Sequence, residues 1–232
     1  MSELRPTEPP AYPGFFLSFE GIDGAGKGTQ IDLLVESLTA RGLPPVVNRE
    51  PGGTAIGQQI RGILLDAANT QLKPTAELLL YFASRAQAVD EILLPALAAG
   101  ELVISDRFTD STLVYQGIAR GLGAEVVLQL DAISCRGLMP DLTILLDIDP
   151  ETSLARAATR NQATASTQTR LDDESKEFHT RVRGGYLALA NACPERILVV
   201  DGNRPAKEVA NTIFELLLPR LALAVLGKEG DC

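Results

Sequence analysis

Between Phe19 and Gln30 the chain reads FEGIDGAGKGTQ. Gly21, Gly26 and Lys27 have the spacing of a phosphate-binding loop, in which backbone N–H groups and a lysine surround a phosphate chain. Ile22, Asp23, Gly24 and Ala25 fill the loop, and the position that ordinarily supplies a Ser or Thr hydroxyl to magnesium is Gly28. The nearest hydroxyl comes one residue late, on Thr29. The N–H groups of Gly24 to Thr29 are expected to converge on one anion, with the positive potential of a helix N-terminus behind them. Without a hydroxyl at position 28, a magnesium ion must be held by phosphates, by waters and by a carboxylate from elsewhere, which its reluctance to shed water allows. Asp106 is the leading candidate; the other reading is an aspartate that pairs with Arg107 or caps the next helix.

A second cationic set lies outside the loop. NREPGGT places Arg49 after one apolar run, and SDRFTDSTLVYQG places Arg107 after another. Two arginines at neighbouring strand ends can fork around a dianionic monophosphate, which guanidinium groups match in pairs of hydrogen bonds. The segment RNQATASTQTR, Arg160 to Arg170, has no apolar period and reads as a mobile loop flanked by arginines. The lone histidine, His179, falls in a charged stretch and is expected to be solvated.

The elements that must position these residues alternate. Apolar runs at 15–19, 45–48, 102–105, 142–147 and 197–200 have the near-continuous character of strands covered on both faces. Ile31, Leu34, Val35 and Leu38 build one helical stripe after the first run. Further helices are expected over 57–67, over 75–99 with a kink at Pro95, and over 124–133, 152–159 and 172–192, with the apolar stretch 213–226 as a terminal helix. Strand and helix in alternation predict a parallel sheet with right-handed crossovers and a ligand site at its carboxyl edge.

The chain has 232 residues and a net charge of -9. That balance excludes a protein that grips nucleic acid through a broad cationic face. Cys135, Cys193 and Cys232 have neither metal-ligand rhythm nor a disulfide framework, so a reduced cytoplasm is the expected setting. No apolar run is long enough for a membrane span, and the proline-bearing N-terminal stretch lacks a secretory signal. The expected organisation is a disordered extension over 1–13, one domain over 14–226 with a lid at about 156–171, and a tail over 227–232.

Taken in order, FEGIDGAGKGTQ, NREPGGTAIGQQIRGILL, LLLYFASRAQ, SDRFTDSTLVYQG, MPDLTILLDI and TRLDDESKEFHTRVRGGYLALA resemble the motifs of thymidylate kinases of the bacterial form. REPGGT and DRFTDSTLVYQG are the specific strings; the loop alone says only nucleotide kinase. The resemblance implies an α/β P-loop nucleoside monophosphate kinase fold, with a five-stranded parallel sheet, helices on both faces and a small mobile lid. It implies transfer of the ATP γ-phosphoryl group to dTMP with Mg2+, by a homodimer that binds neither nucleic acid nor membrane.

It also implies residue roles. Arg49 and Arg107 would hold the dTMP phosphate, and Asp23 would reach the acceptor's sugar or position that phosphate. Tyr81 would stack on thymine, unless Phe82 faces the base instead, while Arg85 bonds the base. Ser111, Thr112 and Gln116 would complete the contacts, and Tyr115 would sit against the 2′ position. Arg156, Arg160 and Arg170 would close over the transferring group, Arg170 as the best match and as a catalytic residue beside Asp23, Lys27 and Arg107; Arg181 and Arg183 are read as helix decoration. The rival readings are a kinase for another nucleoside monophosphate and a P-loop ATPase switch.

Overall fold

A computed structural model describes residues 12–165 and 167–226, with side chains described to residue 222. The expected disordered segment and the tail lie outside the described residues except at Tyr12 and Pro13. Five strands, β1 (Phe15–Glu20), β2 (Val46–Arg49), β3 (Leu102–Asp106), β4 (Leu142–Asp147) and β5 (Ile197–Asp201), form an all-parallel sheet in the order β2-β3-β1-β4-β5. The register aligns Phe19 and Arg49 with Asp106, and Asp147 with Asp201, so the polar strand ends share one edge.

Alternation along β1 divides the core between the two faces of the sheet. Phe15, Leu17 and Phe19 join the larger cluster with Ile31, Leu34 and Leu38 of α1 (Lys27–Thr39). Phe16 turns the other way, onto Val89, Leu93, Leu97 and Leu138. Each such side chain, withdrawn fully from water, contributes roughly 1.5–3 kcal/mol.

The remaining helices are α2 (Ala55–Leu65), α3 (Pro74–Ala88), α4 (Leu94–Ala98), α5 (Thr109–Thr112), α6 (Ala124–Ser134), α7 (Pro150–Thr164), α8 (Lys176–Ala192) and α9 (Ala206–Leu226). Between α3 and α4 runs a π-helical turn, Val89–Leu93. Pro95 has no N–H to offer Glu91 and its ring would crowd that carbonyl, so the irregularity expected at the proline is taken up in the preceding turn. Pro219 lies inside α9.

Three expectations are corrected. The segment 160–170 is not loop throughout, because α7 runs to Thr164 and carries both Arg156 and Arg160 on a helix. His179 is buried on α8 at 0% exposure and packs edge-on against the Phe178 ring rather than in water. Arg183 pairs through both branches with Asp147, at 2.7 and 2.8 Å, and so ties α8 to the end of β4.

Candidate active site

The loop after β1 is shaped by what crowds it. At Gly24, φ is +80° and an added Cβ would stand 2.3 Å from the Ser153 carbonyl oxygen of α7, so only glycine fits. At Gly28 a Cβ would meet nothing of the described residues within 4 Å, and no positive φ is required there. The missing hydroxyl therefore does not follow from lack of space.

Lys27 is folded back into the loop, its Nζ donating to the carbonyls of Gly21 at 3.0 Å and Ile22 at 3.1 Å. Burial lowers its pKa to about 8 and the nearby Arg107 adds to the effect, against the opposing pull of Asp106 and Asp23. A buried ammonium hydrogen-bonded to backbone carbonyls, with no ion pair in contact among the described residues, is a charge prepared for an anion.

Arg107 follows β3 in a left-handed conformation, φ +75°, which costs a side-chain-bearing residue of the order of 1–3 kcal/mol. Its backbone N–H donates to Phe19 O, and its carbonyl accepts from Ser105 Oγ at 2.7 Å. The guanidinium so presented donates to Asp23 at 2.7 Å, to Gly21 O at 3.0 Å, and to the hydroxyls of Ser111 and Tyr186, both at 3.1 Å. Burial alone would raise the Asp23 carboxyl; Arg107 and Lys27 overcome it and hold it well below the usual carboxylate range. Beneath the guanidinium, buried Glu20 accepts from Phe108 N, Ser111 Oγ and Tyr186 OH, fixing the floor of the site.

Arg49 stands 58% exposed with its Nε 3.7 Å from Asp106, which leaves its guanidinium open to another anion. Asp106 thus faces Arg49 across the strand ends, not Arg107 as one reading had it. Arg85 is 1% exposed, paired with Glu50 at 2.6 Å and donating to Phe108 O, yet its Nη1 has no partner among the described residues. A buried, unpaired guanidinium N–H costs free energy unless a ligand satisfies it.

Tyr81 and Arg85 line the same cavity, whereas Phe82 joins a separate cluster with Leu78 and Val127. Of the two aromatic candidates, Tyr81 is the one that lines the cavity.

The segment Thr109–Ala119, to which the sequence pattern assigned no element, is helical. It begins as α5 and widens into a π-helical turn over Leu113–Ala119, with Arg120 N donating to Tyr115 O five residues back. Ser111, Thr112, Tyr115 and Gln116, at i, i+1, i+4 and i+5 along this segment, line the cavity wall together. Tyr115 donates to Asp23 at 2.9 Å, while Thr112 Oγ1 is buried without a partner among the described residues.

The cavity measures about 690 Å³ and is lined by Asp23 to Thr29 as well as by Arg49, Tyr81, Arg85, Asp106, Arg107, Arg156 and Arg160. Arg156 donates to Gly202 O at 3.1 Å, and Arg160 pairs with Asp172 at 2.5 Å. Arg170 stands elsewhere: its Nη1 lies 2.7 Å from Glu77 and its Nε donates to Leu64 O, so it does not line the cavity. A carboxylate buried on α3 outcompetes the open site for that guanidinium. Arg61, which sequence reading passed over, does line the cavity and donates to Pro51 O at 2.9 Å. The available signal was its place on the face of α2 that also carries Leu65, one turn further on.

The family model described as thymidylate kinase matches residues 19–213. The chain belongs to the thymidylate kinase family. A thymidylate kinase of Geobacter sp. (strain M21) is 48% identical over 94% of this chain and 96% of its own length. Those of Trichlorobacter lovleyi and Desulfovibrio desulfuricans are 49% and 50% identical, over 90% and 84% of this chain and 100% and 90% of theirs. The five-stranded parallel sheet and loop are those of a P-loop nucleotide kinase of this family. Among the described residues no helix is long and apolar enough to cross a membrane.

Proposed function

We propose that this thymidylate kinase family member transfers the γ-phosphoryl group of ATP to dTMP, giving dTDP and ADP. The observation that carries the reading is one cavity in which a phosphate loop with Lys27 faces a second cationic set, Arg49 and Arg107, with Tyr81 and Arg85 beyond it. A switch that only hydrolyses ATP has no use for the second set.

Phosphoryl transfer asks mainly for in-line positioning and charge neutralisation. The loop Gly21–Thr29 and Lys27 hold the ATP phosphates; Arg49 and Arg107 hold the dTMP phosphate. That phosphate has a second pKa near 6 and attacks as an ionised oxygen, so no general base is required. Tyr81 supplies stacking area for thymine, the free Nη1 of Arg85 donates to a base carbonyl, and Thr112 and Gln116 complete the pocket. Tyr115, held by Asp23, crowds the 2′ position, and Asp23 orients Arg107. Arg156 and Arg160 serve the transferring group from the lid, about 156–171.

Magnesium fits on the condition that ATP brings most of its ligands. Among the described residues no cluster of three His, Cys, Asp or Glu side chains could cage it, and Asp106 is the cavity carboxylate at the strand edge. When bound, the ion neutralises charge on the phosphate oxygens.

A homodimer is supported by the apolar exposure of α2, α3 and α6, which pack side by side. Ile56, Ile63, Leu79, Val126 and Ile133 are each 43–75% exposed on them. Light scattering at micromolar concentration tests this; a monomer there removes it. The free thiols Cys135 and Cys193 fit a cytoplasmic protein, and residues 14–226 act as a single kinase domain.

The test of the function is turnover of dTMP, dCMP, dGMP and AMP side by side with ATP. A strong preference for dTMP is expected, and equal turnover of AMP would sink the reading.

A further inference from the structure

The mechanism above makes no use of the buried acid Glu77. Glu77, 1% exposed on α3, accepts through Oε1 from Gln116 Nε2 at 2.8 Å. Through Oε2 it meets Arg170 Nη1 at 2.7 Å, and Arg120 bridges both oxygens at 3.3 Å. Arg120 reaches on to Glu174 at 2.6 Å, so two acids and two arginines form a closed, neutral group behind the base pocket. Burial pushes the Glu77 carboxyl up, but the Gln116 amide and the two arginines outweigh it and hold it below its ordinary value.

An ionised carboxylate can only accept hydrogen bonds. The amide end of Gln116 that faces Glu77 must therefore be its NH2, and the carbonyl Oε1 is the end left for the cavity that Gln116 lines. A carbonyl presented there matches a base with an N–H on its ring edge, as thymine has at N3. It opposes cytosine, whose N3 carries a lone pair.

Resting on the dTMP reading of this site, we propose that Glu77 is a positioning residue that sets the polarity of Gln116 and so makes the pocket select an imino N–H. Arg170 belongs to the same device: from the lid it keeps Glu77 ionised and acceptor-only. Its loop is pinned where it does so, with Arg170 N donating to Leu65 O at 3.2 Å and Leu171 packed on the cluster of Leu64, Leu65 and Tyr81. A neutral amide in place of Glu77 offers Gln116 either a donor or an acceptor, and the polarity is lost.

The experiment is Glu77→Gln, with kcat and KM measured for dTMP, for dCMP and for ATP. The expected result is a dTMP-over-dCMP preference in kcat/KM that narrows by about tenfold or more, carried mainly by a higher KM for dTMP, with the KM for ATP little changed. Arg170→Gln, which leaves Glu77 in place, is expected to narrow the preference in the same direction by less, and it serves if Glu77→Gln does not fold. A folded variant with an unaltered preference overturns the role of Glu77 while leaving the dTMP reading intact. If the parent enzyme itself fails to favour dTMP, the reading of the site falls and this inference falls with it.

Discussion

The Arg107 guanidinium and the Asp23 carboxylate are joined across the mouth of the phosphate loop by a 2.7 Å contact, and Tyr115 donates to the other oxygen of the same carboxylate. The cation proposed for the acceptor phosphate is thereby aimed before any phosphate arrives. Arg107→Lys keeps the charge but cannot serve Asp23, Gly21 O and a phosphate from one planar fork. Its kcat/KM for dTMP is expected to fall by about 100-fold or more, nearly as far as that of Arg107→Ala. Recovery of most activity by the lysine would show that charge alone suffices.

Lys27 gives a pH signature. In the free protein its pKa is lowered to about 8, so the folded state holds fewer protons than the unfolded chain between there and the ordinary lysine range. Stability gains as pH rises through that window, while the charge that ATP needs is lost. ATP restores it, so binding near pH 9 is expected to take up a proton, approaching about one per site. Calorimetry in two buffers of different ionisation enthalpy reads this directly, and identical heats in both would remove it.

Tyr81 is proposed for the base because it lines the cavity and Phe82 does not. Tyr81→Phe is expected to keep the KM for dTMP within about threefold, because stacking needs only the ring. Tyr81→Ala forfeits about 1–3 kcal/mol of stacking and should raise that KM by about fivefold or more. Phe82→Leu, by contrast, should lower the melting temperature and leave the KM alone.

Two loop glycines should behave oppositely. Gly28→Ser enters open space near the start of α1 and is expected to retain activity within about twofold, with a gain in helix stability of at most about 0.5 kcal/mol. Gly24→Ala drives a methyl into the Ser153 carbonyl and should abolish ATP binding as measured by equilibrium titration.

The sheet was legible in the sequence because parallel strands buried on both faces are continuous in apolar residues. The strand ends were not, since Glu20, Arg49, Asp106 and Asp201 are polar and extend four of the five runs by one residue. Arg107 and Lys27 could be found because each is tied to a local motif. Arg170 could not be followed to Glu77, nor His179 to the interior, because both depend on partners distant in the chain or on how one helix is rotated against its neighbours. Asp106 is half readable in the same sense: its strand end was visible, but its neighbour Arg49 comes from a strand more than fifty residues away. The helical nature of Thr109–Ala119 was hidden by the Ser and Thr that open it, which suit caps and turns as well as helix interiors.

That last segment carries an engineering consequence. A π-helical turn holds one residue more than an α-helix of the same span, and it is the less stable form. Removing a residue between Leu113 and Ala119 would regularise the helix and remove its intrinsic penalty. It would also undo the wide turn closed by Arg120 N on Tyr115 O, and with it the placing of Tyr115 against Asp23 and of Gln116 against Glu77. Selection for thermal robustness alone would favour such a deletion and end with a sturdier protein that has lost its substrate, which marks this stretch as one to hold fixed in any stabilisation campaign.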